Sequence, residues 1–123
     1  MSEQDDKDLE QIAGSLAISY GELSVALRHL PIPVNLPDGI VTPVVAAEGL
    51  LRALDLLEEE PIPAGVRLDI QSACVSWLNA MDLFGMQAVK PRAYRIAGIT
   101  LCLLTASTGV ISAMEWLVDN QED

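Results

Sequence analysis

Apolar positions recur along this chain with a helical period in four stretches, and proline-rich breaks separate them. From about residue 5 to 30, Leu9, Ile12, Leu16, Tyr20, Leu23, Leu27 and Leu30 follow one another at spacings of three and four. This spacing predicts a long amphipathic helix. Asp5, Asp6 and Asp8 lie where the positive end of its dipole favours carboxylates, and Arg28 and His29 lie where the negative end favours cations. Ile18, Val25 and Ala26 fall beside the main seam, so the helix is expected to touch two neighbours.

The break at Pro31–Gly39 carries three prolines and an Asp-Gly turn signal. Its Ile32, Val34 and Leu36 are too apolar for a plain linker, and they are expected to lie over a bundle end or to form part of a binding surface. Thr42 followed by Pro43 reads as an N-cap with proline at the first helical position. A second helix is then predicted over about 43–59, with Val44, Ala47, Leu50, Leu51, Leu54 and Leu57 as its apolar face. Its end departs from dipole logic, since Glu58, Glu59 and Glu60 place three like charges at the negative pole. Such a departure marks either a solvated helix end or a functional site.

After Pro61-Ile62-Pro63 a third helix is predicted over about 66–84, with Ile70, Cys74, Trp77, Met81 and Phe84 as a heptad-like seam and Gly85 as its C-cap. The seam reads as a core face, and Trp77, Met81, Phe84 and Met86 alternatively as a soft patch for a partner. A fourth helix is predicted over about 91–119, where Gly98, Cys102, Thr105, Gly109 and Ser112 form a stripe of small residues suited to close helix approach. Within it, Ile96 to Met114 is a run of nineteen residues without a charge. As a helix the run is roughly 28 Å long, which matches both a bilayer core and the height of a small bundle.

A single membrane span over 96–114 is one reading, with Lys90, Arg92 and Arg95 on its basic side. Against it, eight of the nineteen residues are Gly, Cys, Ser or Thr, and three amphipathic helices need an apolar element to cover. The expectation is therefore an all-α, single-domain four-helix bundle over 1–123, with the last and most apolar helix central, a disordered N-terminus at 1–4 and a frayed C-terminus at 120–123. Under that placement Thr105→Lys or Gly109→Leu should destabilise the domain.

Composition narrows the function. With 123 residues the chain is one domain, and only five aromatic residues leave a core of Leu, Ile, Val, Ala and Met. Seven basic against eighteen acidic residues give a net charge of -11, which opposes binding to nucleic acid and suits a basic protein surface or simple solubility. Cys74 and Cys102, the two cysteines, lie inside apolar helical patterns and read as small buried hydrophobes. The acidic N-terminus lacks the pattern of a secretory signal, so a cytoplasmic location is expected.

Candidate chemistry is sparse. His29 is the sole histidine and reads as a helix-end cation. No glycine-rich phosphate loop occurs, and carboxylate pairs such as Asp55 and Glu59 read as surface. No cofactor, metal or catalytic set is expected. The sequence thus points to a non-enzymatic acidic protein-binding module, such as a stoichiometric inhibitor, an immunity or anti-defence factor, or an adaptor. Asp55, Glu58, Glu59 and Glu60 are the candidate acidic patch, with Ile32, Val34 and Leu36 of the proline-rich loop at its rim. The alternatives are a small membrane-anchored protein and a structural homodimer paired through the seams of the first or third helix.

Overall fold

Four α-helices build the molecule in the computed structural model, which describes residues 2–121: α1 (Glu3–Arg28), α2 (Pro43–Leu57), α3 (Ala64–Val89) and α4 (Ala93–Asp119). The expected all-α bundle is what forms. Its frame is the antiparallel pair of α3 and α4, which pack along their lengths. α1 lies against both of them, whereas α2 rests on α3 and barely touches α1 directly. The last helix has the extensive packing expected of it.

Helix ends explain most boundary differences. Ser2 caps α1 by accepting the Asp5 N–H at 3.0 Å while the Asp5 carboxylate accepts the Ser2 N–H at 3.3 Å. The helix therefore starts at Glu3, and residues 2–4, expected as a disordered terminus, hold its cap and first turn. It stops at Arg28, because Pro31 excludes a helical residue before it and clashes with the carbonyl four residues back. Pro61 ends α2 at Leu57 in the same way, two residues before the predicted end. Thr42 accepts the Val45 N–H and Pro43 opens α2, as its sequence predicts.

Gly85 is not a C-cap. α3 runs five residues past Phe84 to Val89, since nothing near Gly85 forces a left-handed turn and the stop comes at Pro91. Gln87 is buried there, and its Oε1 accepts the Arg92 N–H at 2.9 Å, which ties the end of α3 to the start of α4. At the other terminus Asn120 caps α4, and the rest of the expected fraying, at residues 122–123, lies outside the described residues.

The core joins Leu23 and Leu27 of α1, Leu50 and Leu57 of α2, Ile70 and Cys74 of α3, and Ile99 and Leu117 of α4, all fully buried. Each of these leucines and isoleucines contributes about 1.5–3 kcal/mol over its exposed state. Between α3 and α4 the two backbones approach closely at Gly109, which lies against the Asp69 backbone and Ala73, and Ala106 and Ala113, one turn to either side of it on the same face of α4, are fully buried. The small stripe read from the sequence meets α3 at three of its positions: Gly98 lies against Leu83, Gly109 against the Asp69 backbone, and Ser112 donates to Asp69 Oδ2 at 2.7 Å. Thr105 and Ser112 are exposed, so the expected cost of Thr105→Lys does not hold, whereas Gly109 is buried against the Asp69 backbone. Trp77 crosses to α1, where its Nε1 donates to the Leu16 carbonyl at 3.0 Å inside the core.

Candidate binding cleft

The feature best suited to holding a ligand is an apolar cleft of about 390 Å³ between α1, the loop before α2, and α3. Three sequence features create it. On α1, Ala13, Ala17, Gly21 and Ser24 place small side chains at spacings of four, four and three, so this wall is low. On α3, Trp77, Met81 and Phe84 lie at spacings of four and three and supply the deep apolar surface. The third wall is Pro37 to Pro43, on the stretch that joins α1 to α2, two helices without an extensive direct contact.

This wall is fixed at several points. Val34 and Leu36 are buried, and the Val34 N–H donates to the Leu27 carbonyl at 3.0 Å. Pro37 packs onto α2 at Gly49, where a Cβ would come 2.8 Å from the Pro37 Cδ. Gly39 then adopts φ +78°, the left-handed conformation that turns the chain back toward Thr42. Tyr20 locks the assembly by donating its hydroxyl to the Pro37 carbonyl at 2.8 Å while its ring leans on Trp77 with centroids 5.6 Å apart.

Burial, and then the nearby Asp38 carboxylate, raise the Tyr20 pKa above the usual tyrosine value. A phenol already donating to a carbonyl and made less acidic is a poor proton source. The remaining polar lining groups are Ser24, Asp38 and Thr42, and His29 is not among them. Among the described residues, no three of His, Cys, Asp and Glu are grouped to hold a metal ion. The arrangement can receive an apolar group in a space of the size that binds small molecules or a few side chains, with one carboxylate at the mouth.

The residues singled out from the sequence fall elsewhere. Asp55, Glu58 and Glu59 are exposed at the C-terminal end of α2, and Glu58 accepts from Gln71 Nε2 at 3.1 Å. Glu60 is not a surface charge: it is 4 % exposed, and its Oε1 accepts the Ile32 N–H at 2.9 Å. Burial raises its pKa above the usual carboxylate value, and the Ile32 hydrogen bond partly offsets that. The three glutamates are consecutive, but the chain turns after Leu57 and carries the third one inward.

Arg67 completes this corner, donating from Nε to the Leu57 carbonyl at 3.0 Å and from Nη2 to the Glu60 carbonyl at 2.8 Å. It thus supplies the positive charge that the end of α2 lacks in its own sequence. Of the expected rim, Ile32 is 58 % exposed beside Glu60, whereas Val34 and Leu36 are core. The surviving patch of Ile32, Asp55, Glu58 and Glu59 lies about 15 Å along α2 from the cleft.

The soft patch read as an alternative is divided. Trp77 is buried, Met81 and Phe84 are half-buried in the cleft, and Met86 lies outside it. The small residues of α1 that open the cleft carried no functional signal in the sequence, because exposed Ala and Gly on a polar helix face read as ordinary surface. Comparison with protein-family models, curated proteins and solved structures finds no match for this chain.

Proposed function

We propose that the protein is a non-enzymatic binding module that receives an apolar, basic-flanked segment of a partner protein in the cleft of Tyr20, Trp77, Met81 and Phe84. One observation carries the reading: the cleft is lined chiefly by aromatic, methionine and small apolar side chains. The net charge of -11 and the Asp38 carboxylate at the mouth favour a basic partner and speed its approach. Asp55, Glu58, Glu59 and Ile32 form a second contact region toward the far end of α2. A stoichiometric inhibitor, an immunity or anti-defence factor, or an adaptor would work in this way. The free thiols of Cys74 and Cys102 support a reducing, cytoplasmic setting.

The test is affinity capture from the native cell with quantitative comparison of two baits. Ala17 is exposed on the low wall of the cleft, so Ala17→Trp fills it without entering the core. A partner enriched by the wild type and lost with Ala17→Trp, at unchanged helical signal, supports the reading. Identical capture by both baits refutes it.

A second reading is favoured by one property of α4. Its most apolar 18-residue window has a mean hydropathy of 1.8, and only 28 % of that window is buried. That reading is a single-pass membrane protein with 96–114 as its span. Its test is extraction of membranes at alkaline pH, which leaves a true span in the pellet and releases a protein that only adheres.

A further inference from the structure

The outward side of α4 carries a heptad stripe that the monomer does not use. Tyr94, Leu101, Leu104, Ile111 and Val118 are 67 %, 64 %, 59 %, 58 % and 56 % exposed, and with Ala97, Thr108 and Glu115 they recur at alternating spacings of three and four over the helix. A repeat of 3.5 residues keeps one face turned toward a partner helix. The threonines add no free donor, since Thr100, Thr105 and Thr108 each donate to the carbonyl four residues back on α4. The seams expected to pair between chains lie inside the monomer instead, with Leu16, Leu23 and Leu27 of α1 and Ile70, Cys74 and Trp77 of α3 buried.

We infer that this stripe is the interface of a homodimer in which α4 pairs antiparallel with α4 of a second copy, about a two-fold axis beside Ala106. Three observations select this occupant. The stripe is self-complementary about that axis: Tyr94 falls opposite Val118, Ala97 opposite Glu115, Leu101 opposite Ile111, and Leu104 opposite Thr108. Beside it, a shallow groove bordered by Leu101, Leu104, Thr105 and Thr108 of α4, with Asp69 and Ser72 of α3 along its far side, is placed to take Leu104 of the other copy.

The charges supply direction. α4 has Lys90, Arg92 and Arg95 at its N-terminal end and Glu115 and Asp119 at its C-terminal end, which is unfavourable to its own dipole at both poles. An antiparallel second copy sets each basic end beside an acidic end and opposes the two dipoles, whereas a parallel copy would set like beside like. Each chain carries -11, so long-range repulsion opposes association, and the contact rests on the apolar positions of the stripe, in which Glu115 is the one charged residue.

The third observation is area. The chain exposes 7259 Å², against about 6400 Å² for a folded monomer of 13.2 kDa. The chain thus leaves more surface uncovered than a compact monomer of its mass, as an unpartnered helix face does.

The experiment is sedimentation velocity on the full chain, purified without detergent, over about 1–100 µM. The wild type is expected to move from monomer to dimer within that range. Leu104→Glu places carboxylates next to the axis and is expected to weaken the dimer by about a hundredfold with helical content unchanged. Direction is read by disulfide trapping in a Cys102→Ser background. A mixture of Leu104→Cys and Thr108→Cys chains should cross-link, whereas each alone should not. Monomer throughout the range, a dimer indifferent to Leu104→Glu, or self-cross-linking of the single variants would overturn the proposal. Recovery of wild type only with detergent or lipid vesicles would overturn it too, by making lipid the occupant of the stripe.

Discussion

Glycine-to-alanine substitution at two positions should change stability in opposite directions. At Gly109 a Cβ would fall 2.5 Å from the Asp69 carbonyl oxygen and 3.3 Å from the Ala73 Cβ. Carbon and oxygen settle at about 3.3 Å, so α3 and α4 would have to part by roughly 0.8 Å where they are closest. The obstructing atom is backbone inside a helix, and it cannot rotate away. Overpacking of this kind costs about 1–3 kcal/mol, whereas alanine regains about 1 kcal/mol of helix propensity over glycine. A net loss of about 1–2 kcal/mol follows, because parting the helices also loosens Ala106 and Ala113 against α3. Gly109→Leu should lose more.

Gly14, in the middle of α1, has nothing within 4 Å of the added carbon, so Gly14→Ala should gain up to about 1 kcal/mol. Urea unfolding followed by helical circular dichroism, at one low protein concentration to hold association constant, measures both. A Gly109→Ala protein as stable as the wild type, with an unchanged urea slope, would refute the close approach of α3 and α4.

Three further outcomes are expected. Glu60 holds its proton more tightly folded than unfolded, so wild-type stability should fall as pH rises from the ordinary carboxylate value through its raised one, and then level off. Glu60→Gln keeps an acceptor for the Ile32 N–H but cannot ionise; its advantage over wild type should grow across that window, and equal pH slopes measured by urea unfolding would sink the assignment. Burial pushes the Cys74 thiol up to about 12, so a disulfide reagent at pH 8 should modify Cys102 in the native protein and reach Cys74 only with unfolding; simultaneous loss of both thiols would place Cys74 wrongly. Thr105→Lys should leave the unfolding free energy of the monomer, measured at a protein concentration below the dimer range, within about 0.5 kcal/mol of wild type, because its side chain is exposed; a large loss would mean that Thr105 is buried within the monomer.

How much was legible in the sequence differs between features. The four helices were, because periodic apolar residues and Pro31, Pro61 and Pro91 act within a few residues of chain. The cleft was only half legible: Trp77, Met81 and Phe84 carried a signal, but their partners Ala13, Ala17 and Gly21 become a wall only beside the stretch that joins α1 to α2. Glu60 shows the limit at its sharpest. In sequence it is the third of three equivalent glutamates, and in space it is the buried acceptor for a residue 28 positions away.

What the sequence determined by itself, then, is local: helix content, the Thr42-Pro43 start of α2, the proline breaks, the acidic charge and the lack of recognisable catalytic motifs. Hydrogen bonding within a turn and the dipole of a helix depend on near neighbours, so residue order suffices to place them. Only the tertiary structure decided which apolar positions of α4 are covered, because the small stripe with Gly98, Gly109 and Ser112 marks a close approach to α3 while most positions around it are apolar as well. The choice fell to Ala106, Gly109 and Ala113, whose small size lets two backbones approach, and it left Leu101, Leu104 and Ile111 outside. Close packing compares the shapes of two surfaces, and a single chain read in order contains only one of them at a time.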